Sequence, residues 1–340
     1  MSQHPNFLPW QAQAARQWLA DRTRFAHAWL IHGMPGIGQL EFAAAGAASL
    51  LCEAPRDGLA CGQCEACRWV AAGNHPDLRR IRPESLALKE GEEAESSSKK
   101  QPSQEIRVEQ IRELLPWFNM ASHRGGWRVA LIYPAEALNT ISANALLKIL
   151  EEPPGRTVFL LVAQAPDRLL PTLVSRCRRL PLPVPERTQA LAWLREQGVS
   201  KEADAWLAAA GGAPGLARQM SDQGSSPVPG WLPVFLDLAQ SGGAPGGLAD
   251  ALMAQEPVSW VDAAQRLWVD LTLACAGLPL RYYPHETTAI QALVPSLDPQ
   301  VLAEGAQWLL EQKRLARHPL NPKFLADYAA QALLSAVRRA

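Results

Sequence analysis

Apolar positions in the first half of this chain fall into short unbroken runs. "AHAWLIHG" (Ala26 to Gly33), "WRVALIY" (Trp127 to Tyr133) and "RTVFLLVA" (Arg156 to Ala163) are of this kind, the pattern of strands covered on both faces. "DLRRIRP" and "CRRLPL" are shorter strand candidates. Between them Ile106, Ile111, Leu114, Leu115 and Phe118 recur at helical spacing. "QLEFAAAGAASLL" predicts a helix, and "NTISANALLKILEEPP" predicts one stopped by Pro153 and Pro154. Strands alternating with helices predict an α/β domain, a parallel sheet with helices on both faces. After "PLPVPE" the pattern changes, and from Glu186 to Ala340 the chain is Ala/Leu-rich and reads as helices throughout. The fold class is therefore α/β plus all-α. Residues 1–184 form the sheet domain, 185–225 a small helical domain and 230–340 a larger one, with "SDQGSSPVPG" as the linker. Residues 88–104, "LKEGEEAESSSKKQPSQ", are polar and low in complexity and predict a disordered surface loop.

Composition narrows the function classes. Lys and Arg balance Asp and Glu at 33 each, so nothing suggests a chain that holds nucleic acid by bulk charge. The opening "MSQHPNFLPW" has no basic region followed by an apolar core, unlike a signal peptide. "FAAAGAASLLC" is too short to span a bilayer. These features predict a cytoplasmic protein, so its six cysteines call for a reason other than disulfides.

"GMPGIGQL" has the spacing of a phosphate-binding loop, G-x-x-x-x-G-K-[ST], between a strand and a helix. Gly33, Gly36 and Gly38 keep the backbone part. Gln39 stands at the lysine position and Leu40 at the hydroxyl position. A neutral amide cannot neutralise phosphate, and Leu40 offers no oxygen to Mg²⁺. The carboxylate pair expected after a later strand is also replaced: Tyr133 and Pro134 stand there, with Glu136 two residues beyond. Four losses together argue against ATP hydrolysis by this chain and against functional ATP binding.

Cys52, Cys61, Cys64 and Cys67 are spaced C-x8-C-x2-C-x2-C within residues 52–67. Four thiolates this close suit a closed tetrahedral zinc site of structural type. An iron–sulfur cluster and free thiols are the rivals. The C-x3-C-P continuation of ferredoxins is missing, because Arg68, Trp69 and Val70 follow Cys67. Cys177 and Cys275 are isolated and read as core thiols. In "LLPTLVSRCRRLPL", Ser175, Arg176 and Cys177 lead into a strand. Taken alone, Arg176 reads as one half of a salt bridge at the rim of the sheet.

"HAWLIHGMPGIG", the four cysteines, "SANALLKILEEPP" and "LLPTLVSRC" occur together over the first 185 or so residues. In this combination the chain resembles the delta-prime subunits of bacterial DNA polymerase III clamp loaders. The resemblance implies an AAA+ fold: a phosphate-loop-type sheet domain with a zinc module, a helical lid, and a C-terminal helical collar that holds a five-subunit ring together. It implies a non-hydrolysing subunit beside gamma/tau-type ATPase subunits and a delta subunit, which together load a sliding clamp onto primed DNA. Arg176, in the Ser175-Arg176-Cys177 motif, would be an arginine finger acting in trans on the neighbour's ATP, and the four cysteines would hold structural zinc. The resemblance also places the chain in a nucleotidyltransferase holoenzyme without giving it an autonomous activity. Gly215, near the position where active members carry an arginine, and Ala163 and Gln164, where they carry a Thr or Asn pair, agree with lost hydrolysis. Glu151 and Glu152 belong to the family motif and read as structural residues that help to place the interface arginine. Two other readings are an autonomous AAA+ ATPase, which predicts turnover by the chain alone, and a zinc-dependent nucleic-acid-binding protein, which predicts DNA affinity lost with the metal.

Overall fold

The apolar runs form a parallel sheet of five strands: β1 (Ala28–His32), β2 (Leu78–Ile81), β3 (Arg128–Ile132), β4 (Thr157–Ala163) and β5 (Arg178–Pro181). Their order in space is β2-β3-β4-β1-β5. The structure, a computed structural model, describes residues 4–91, 101–120, 122–123, 126–224, 226–316 and 321–338. The three inner strands are almost wholly buried, which is why they read as continuous apolar runs. The edge strands β2 and β5 are partly exposed and carry the arginine pairs Arg79–Arg80 and Arg178–Arg179. Because β1 lies between β4 and β5, the loop that follows it opens at the carboxyl end of the sheet, where strand order reverses and α/β folds place ligands.

Helices α1 (Ala12–Leu19), α2 (Gln39–Leu51), α3 (Glu65–Ala71), α4 (Glu84–Lys89), α5 (Val108–Arg112), α6 (Leu114–Asn119), α7 (Thr140–Glu151) and α8 (Pro171–Ser175) accompany the sheet. Asn139 caps α7 by accepting a hydrogen bond from the Ser142 N–H at 2.9 Å, which satisfies one otherwise unpaired donor of the first turn. Leu146, Ile149 and Leu150 of α7 pack with Phe118, Phe159 and Leu161 in the core. Two expectations change in detail. The single amphipathic helix read over Ile106 to Phe118 is two short helices, α5 and α6. Leu88 and Lys89, assigned to a disordered loop, form the end of α4, and Ser103 accepts a hydrogen bond from Ser85 through its carbonyl at 3.1 Å. Residues 92–100 of that stretch lie outside the described residues.

The chain divides into two units, residues 1–189 and 190–340, with the division inside α9 (Arg187–Glu196). The second unit holds α10 (Ala203–Ala209), α11 (Pro214–Gln223), α12 (Trp231–Ser241), α13 (Gly246–Met253), α14 (Pro257–Cys275), α15 (Thr287–Leu293), α16 (Pro299–Leu315) and α17 (Pro322–Ser335). It has a small core around Leu194, Trp206 and Leu207 and a large one around Trp231, Phe235, Trp260, Leu267 and Leu333. Asp270 is fully buried in the second unit, and its carboxylate accepts the successive backbone N–H groups of Arg281, Tyr282 and Tyr283 at 2.7–3.1 Å. A buried carboxylate is costly unless hydrogen-bonded in this way. Cys177 is a core thiol as expected, raised by burial to about 12, while Cys275 is only partly buried.

Candidate functional site

The loop after β1 turns sharply at Gly36 and Gly38, both with positive φ. A Cβ at Gly38 would collide with Leu8 Cδ1 and Gln11 Nε2, so this position needs glycine for space as well as for conformation. Side chains from the N-terminal segment brace the turn. Gln11, buried, donates from Nε2 to the carbonyls of Ile37 (3.1 Å) and Gly38 (2.7 Å), and Trp10 Nε1 donates to Ile37 (3.0 Å). Sequence reasoning missed Gln11 and Trp10, for no local pattern connects them to a loop 26 residues away.

Gln39 is buried, and its amide turns back onto the loop, donating to the carbonyls of Gly33 (2.6 Å) and Met34 (2.8 Å). Its hydrogen bonds hold the turn closed and contribute no positive charge. Beyond β3, Tyr133 is buried and donates its hydroxyl to Glu90 at 2.7 Å, while Arg82 pairs with the same carboxylate at 3.0 Å. Burial first, then the bond to Glu90, raises the Tyr133 phenol well above its ordinary range, so it stays neutral. Glu136, the acid two residues beyond Pro134, is engaged through one of its oxygens. Its Oε1 accepts the backbone N–H groups of Gln164 and Ala165, both at 2.6 Å, and so ties down the end of β4. Gln39, Tyr133 and Pro134 are thus neutral groups, and Glu136 is held to the backbone through Oε1. The variant Gln39→Lys, assayed alone for phosphate release, is expected to show no turnover above background, because Leu40, Tyr133 and Pro134 still offer Mg²⁺ nothing. Turnover that follows the purified variant would contradict this.

At the far end of α8, Arg176 is the C-cap residue and its side chain is 37% exposed. The guanidinium donates to the Thr172 carbonyl at 3.1 Å and forms an ion pair with Glu151, the last residue of α7. Ser175 turns its hydroxyl back to the same Thr172 carbonyl at 2.9 Å, and Cys177 points into the core. Of the three residues of the motif, only Arg176 offers a charged group outward.

The four cysteines come together between α2 and α3. All four Sγ atoms lie within 4.8 Å of one another, with Cys52–Cys64 at 3.9 Å and Cys61–Cys67 at 4.0 Å. A tetrahedron of thiolates with metal–sulfur bonds of about 2.3 Å has edges of about 3.8 Å, so the residues fit a metal ion. Backbone N–H groups point at the sulfurs: Cys61 N to Cys52 (3.3 Å), Cys64 N to Cys61 (3.3 Å) and Cys67 N to Cys64 (3.4 Å). Donors from Gln63 and Cys64 pull the Cys61 thiol down to about 6, while burial raises Cys52 and Cys67. The set is closed, with four sulfurs and no open position, an arrangement that holds structure rather than activates water.

The family model described as DNA polymerase III, delta subunit, matches residues 11–186. The chain is 42% identical over 222 residues to the DNA polymerase III subunit delta' of Pseudomonas aeruginosa, covering 64% of this chain and 62% of that protein. It is 37% identical over 194 residues to the subunit delta' of Escherichia coli, covering 56% of this chain and 53% of that one. The matches thus span between about half and 62% of these relatives' length. The DNA polymerase III subunit tau of Escherichia coli is 36% identical over 154 residues, 45% of this chain and 21% of that protein. A solved gamma subunit-related protein from Thermotoga maritima covers 97% of this chain and 100% of its own at 14% identity, with a TM-score of 0.38, a likeness too loose to carry an argument.

Proposed function

Since the chain belongs to the DNA polymerase III delta-prime family, we propose that it is a non-hydrolysing subunit of a clamp loader that helps place a sliding clamp on primed DNA. Its own phosphate loop does not work on ATP in this reading. It lends Arg176 instead to the ATP of a neighbouring gamma/tau-type subunit, in a ring of five with a delta subunit. The observation that carries the reading is the contrast between two regions. Gln39 and Tyr133 are turned onto internal acceptors and Glu136 has Oε1 on two backbone N–H groups, whereas Arg176, though paired with Glu151, keeps its side chain 37% exposed at the rim of the same sheet. Similarity to a tau subunit supports a shared assembly.

Residues 185–225 serve as the lid and 230–340 as the collar. Phe324, 74% exposed, and Tyr328 lie one turn apart on α17, apolar surface suited to a neighbouring helical domain. Cys52, Cys61, Cys64 and Cys67 would hold zinc, whose part is to staple the α2–α3 connection. We place the chain in the cytoplasm; among the described residues no helix is long and apolar enough to cross a membrane.

The test is reconstitution with tau-type and delta subunits, clamp and primed DNA, read as complex formation by analytical ultracentrifugation and as clamps loaded per minute. Both are expected to depend on the chain, and the chain alone is expected to release no phosphate. ATP turnover that follows the chain through purification would replace this reading with that of an autonomous ATPase.

A further inference from the structure

Arg176 does not hang free from α8. Its guanidinium is held by two acceptors from two different helices, the Thr172 carbonyl of α8 at 3.1 Å and the Glu151 carboxylate of α7. Glu151 is an odd residue for its place. It ends α7, where the helix dipole favours cations and disfavours a carboxylate. The prolines that follow, Pro153 and Pro154, do not continue the helix. The helix therefore gains nothing from this acid locally, whereas Arg176 gains a fixed partner. Because Leu146, Ile149 and Leu150 seat α7 in the sheet core, the ion pair ties the guanidinium to the body of the domain as well as to its own short helix.

We propose that Glu151 is the positioning residue of Arg176. Resting on the reading of Arg176 as a finger, it holds the guanidinium plane in a set orientation before a neighbour's phosphate arrives. An arginine side chain gives up much rotamer freedom on docking, and a pre-oriented fork gives up less. Two contacts occupy only part of the guanidinium's five N–H donors, so the others remain for phosphate oxygens. A nearby carboxylate also competes with phosphate for the same cation. Glu151 is 50% exposed, and water screens that competition, so orientation is the effect that remains.

The test uses the reconstituted loader with Glu151→Ala, Glu151→Gln, Arg176→Ala and the double variant, after each has been shown to assemble. A half-exposed ion pair is worth at most about a fivefold change. Glu151→Ala is expected to lower kcat for ATP by about that factor with KM unchanged, since a finger acts on the transition state. Glu151→Gln, which keeps an acceptor oxygen, is expected to recover part of the loss. In the Arg176→Ala background Glu151→Ala is expected to cost nothing more, because the residue acts only through Arg176. A rate that is unchanged or raised in Glu151→Ala, or a further loss in the double variant, overturns the proposal while leaving the finger in place. An unchanged rate in Arg176→Ala removes the finger, and the proposal with it.

Discussion

Arg176→Ala is expected to slow ATP hydrolysis at the one site it serves by ~10³-fold or more, the range seen where an arginine finger is removed. The arithmetic separates this from a structural effect. A thousandfold is about 4 kcal/mol of transition-state stabilisation. An ion pair as exposed as Arg176–Glu151 is worth about 1 kcal/mol or less to the fold. Thermal unfolding of the variant should therefore stay close to wild type while turnover collapses. The site must be isolated to see the full effect, so the other ATP sites of the reconstituted loader are silenced by substitutions at their phosphate-loop lysines. Arg176→Lys is the matching control. It keeps a positive charge but not the planar fork that meets phosphate oxygens in pairs, and it is expected to recover little of the loss. Near-wild-type turnover by Arg176→Ala in an assembled loader would reduce Arg176 to the rim salt bridge that the isolated motif suggests.

The parts of the molecule legible in the sequence are those whose cause is local. β1, β3 and β4 are buried on both faces, and burial on both faces leaves an unbroken apolar run. The cysteines were legible because all four fall within sixteen residues and thiolate coordination requires that residue type. The loop glycines were legible because only glycine fits the turn at Gly38. Long-range partners were not. Gln11 bonds the loop from 26 residues away, and Glu136 bonds the backbone of Gln164 from 28 away; nothing in their neighbourhood marks either task. The break between α5 and α6 was hidden because apolar spacing runs through it, with Ile111, Leu114 and Phe118 all entering one core. Glu151 falls between these cases. Its motif and a link to the interface arginine follow from the resemblance, but which of Glu151 and Glu152 meets Arg176, 25 residues on, is a matter of how α7 and α8 pack.

Metal removal is the other large effect, and it should be local. From Cys52 to Cys67 half of the residues are exposed, and the only buried ones are Cys52, Ala66 and Cys67. Besides the thiols, the connection has an Arg56–Leu59 bridge, the Arg22 guanidinium on the Gly58 carbonyl at 2.7 Å and the Ala60 N–H on Ser49 Oγ at 3.0 Å. A few hydrogen bonds of about 1 kcal/mol each do not offset the entropy of ordering so many residues, at about 1–2 kcal/mol for each backbone unit. A structural zinc contributes ~10–16 kcal/mol in small zinc modules, enough to reverse that balance. The purified chain is therefore expected to carry one zinc, read by elemental analysis. Stripping it with a strong chelator should raise amide hydrogen exchange over residues 53–67 by orders of magnitude. The sheet should keep its protection, because α2 is buried along most of its length independently of the metal. Cys64→Ser should give the same local signature. Equal protection with and without metal would mean that the fold alone holds the four sulfurs together. Loss of DNA affinity in a Cys64→Ser protein that still folds and assembles would instead favour a zinc-dependent nucleic-acid contact, a role that the closed four-sulfur site does not require.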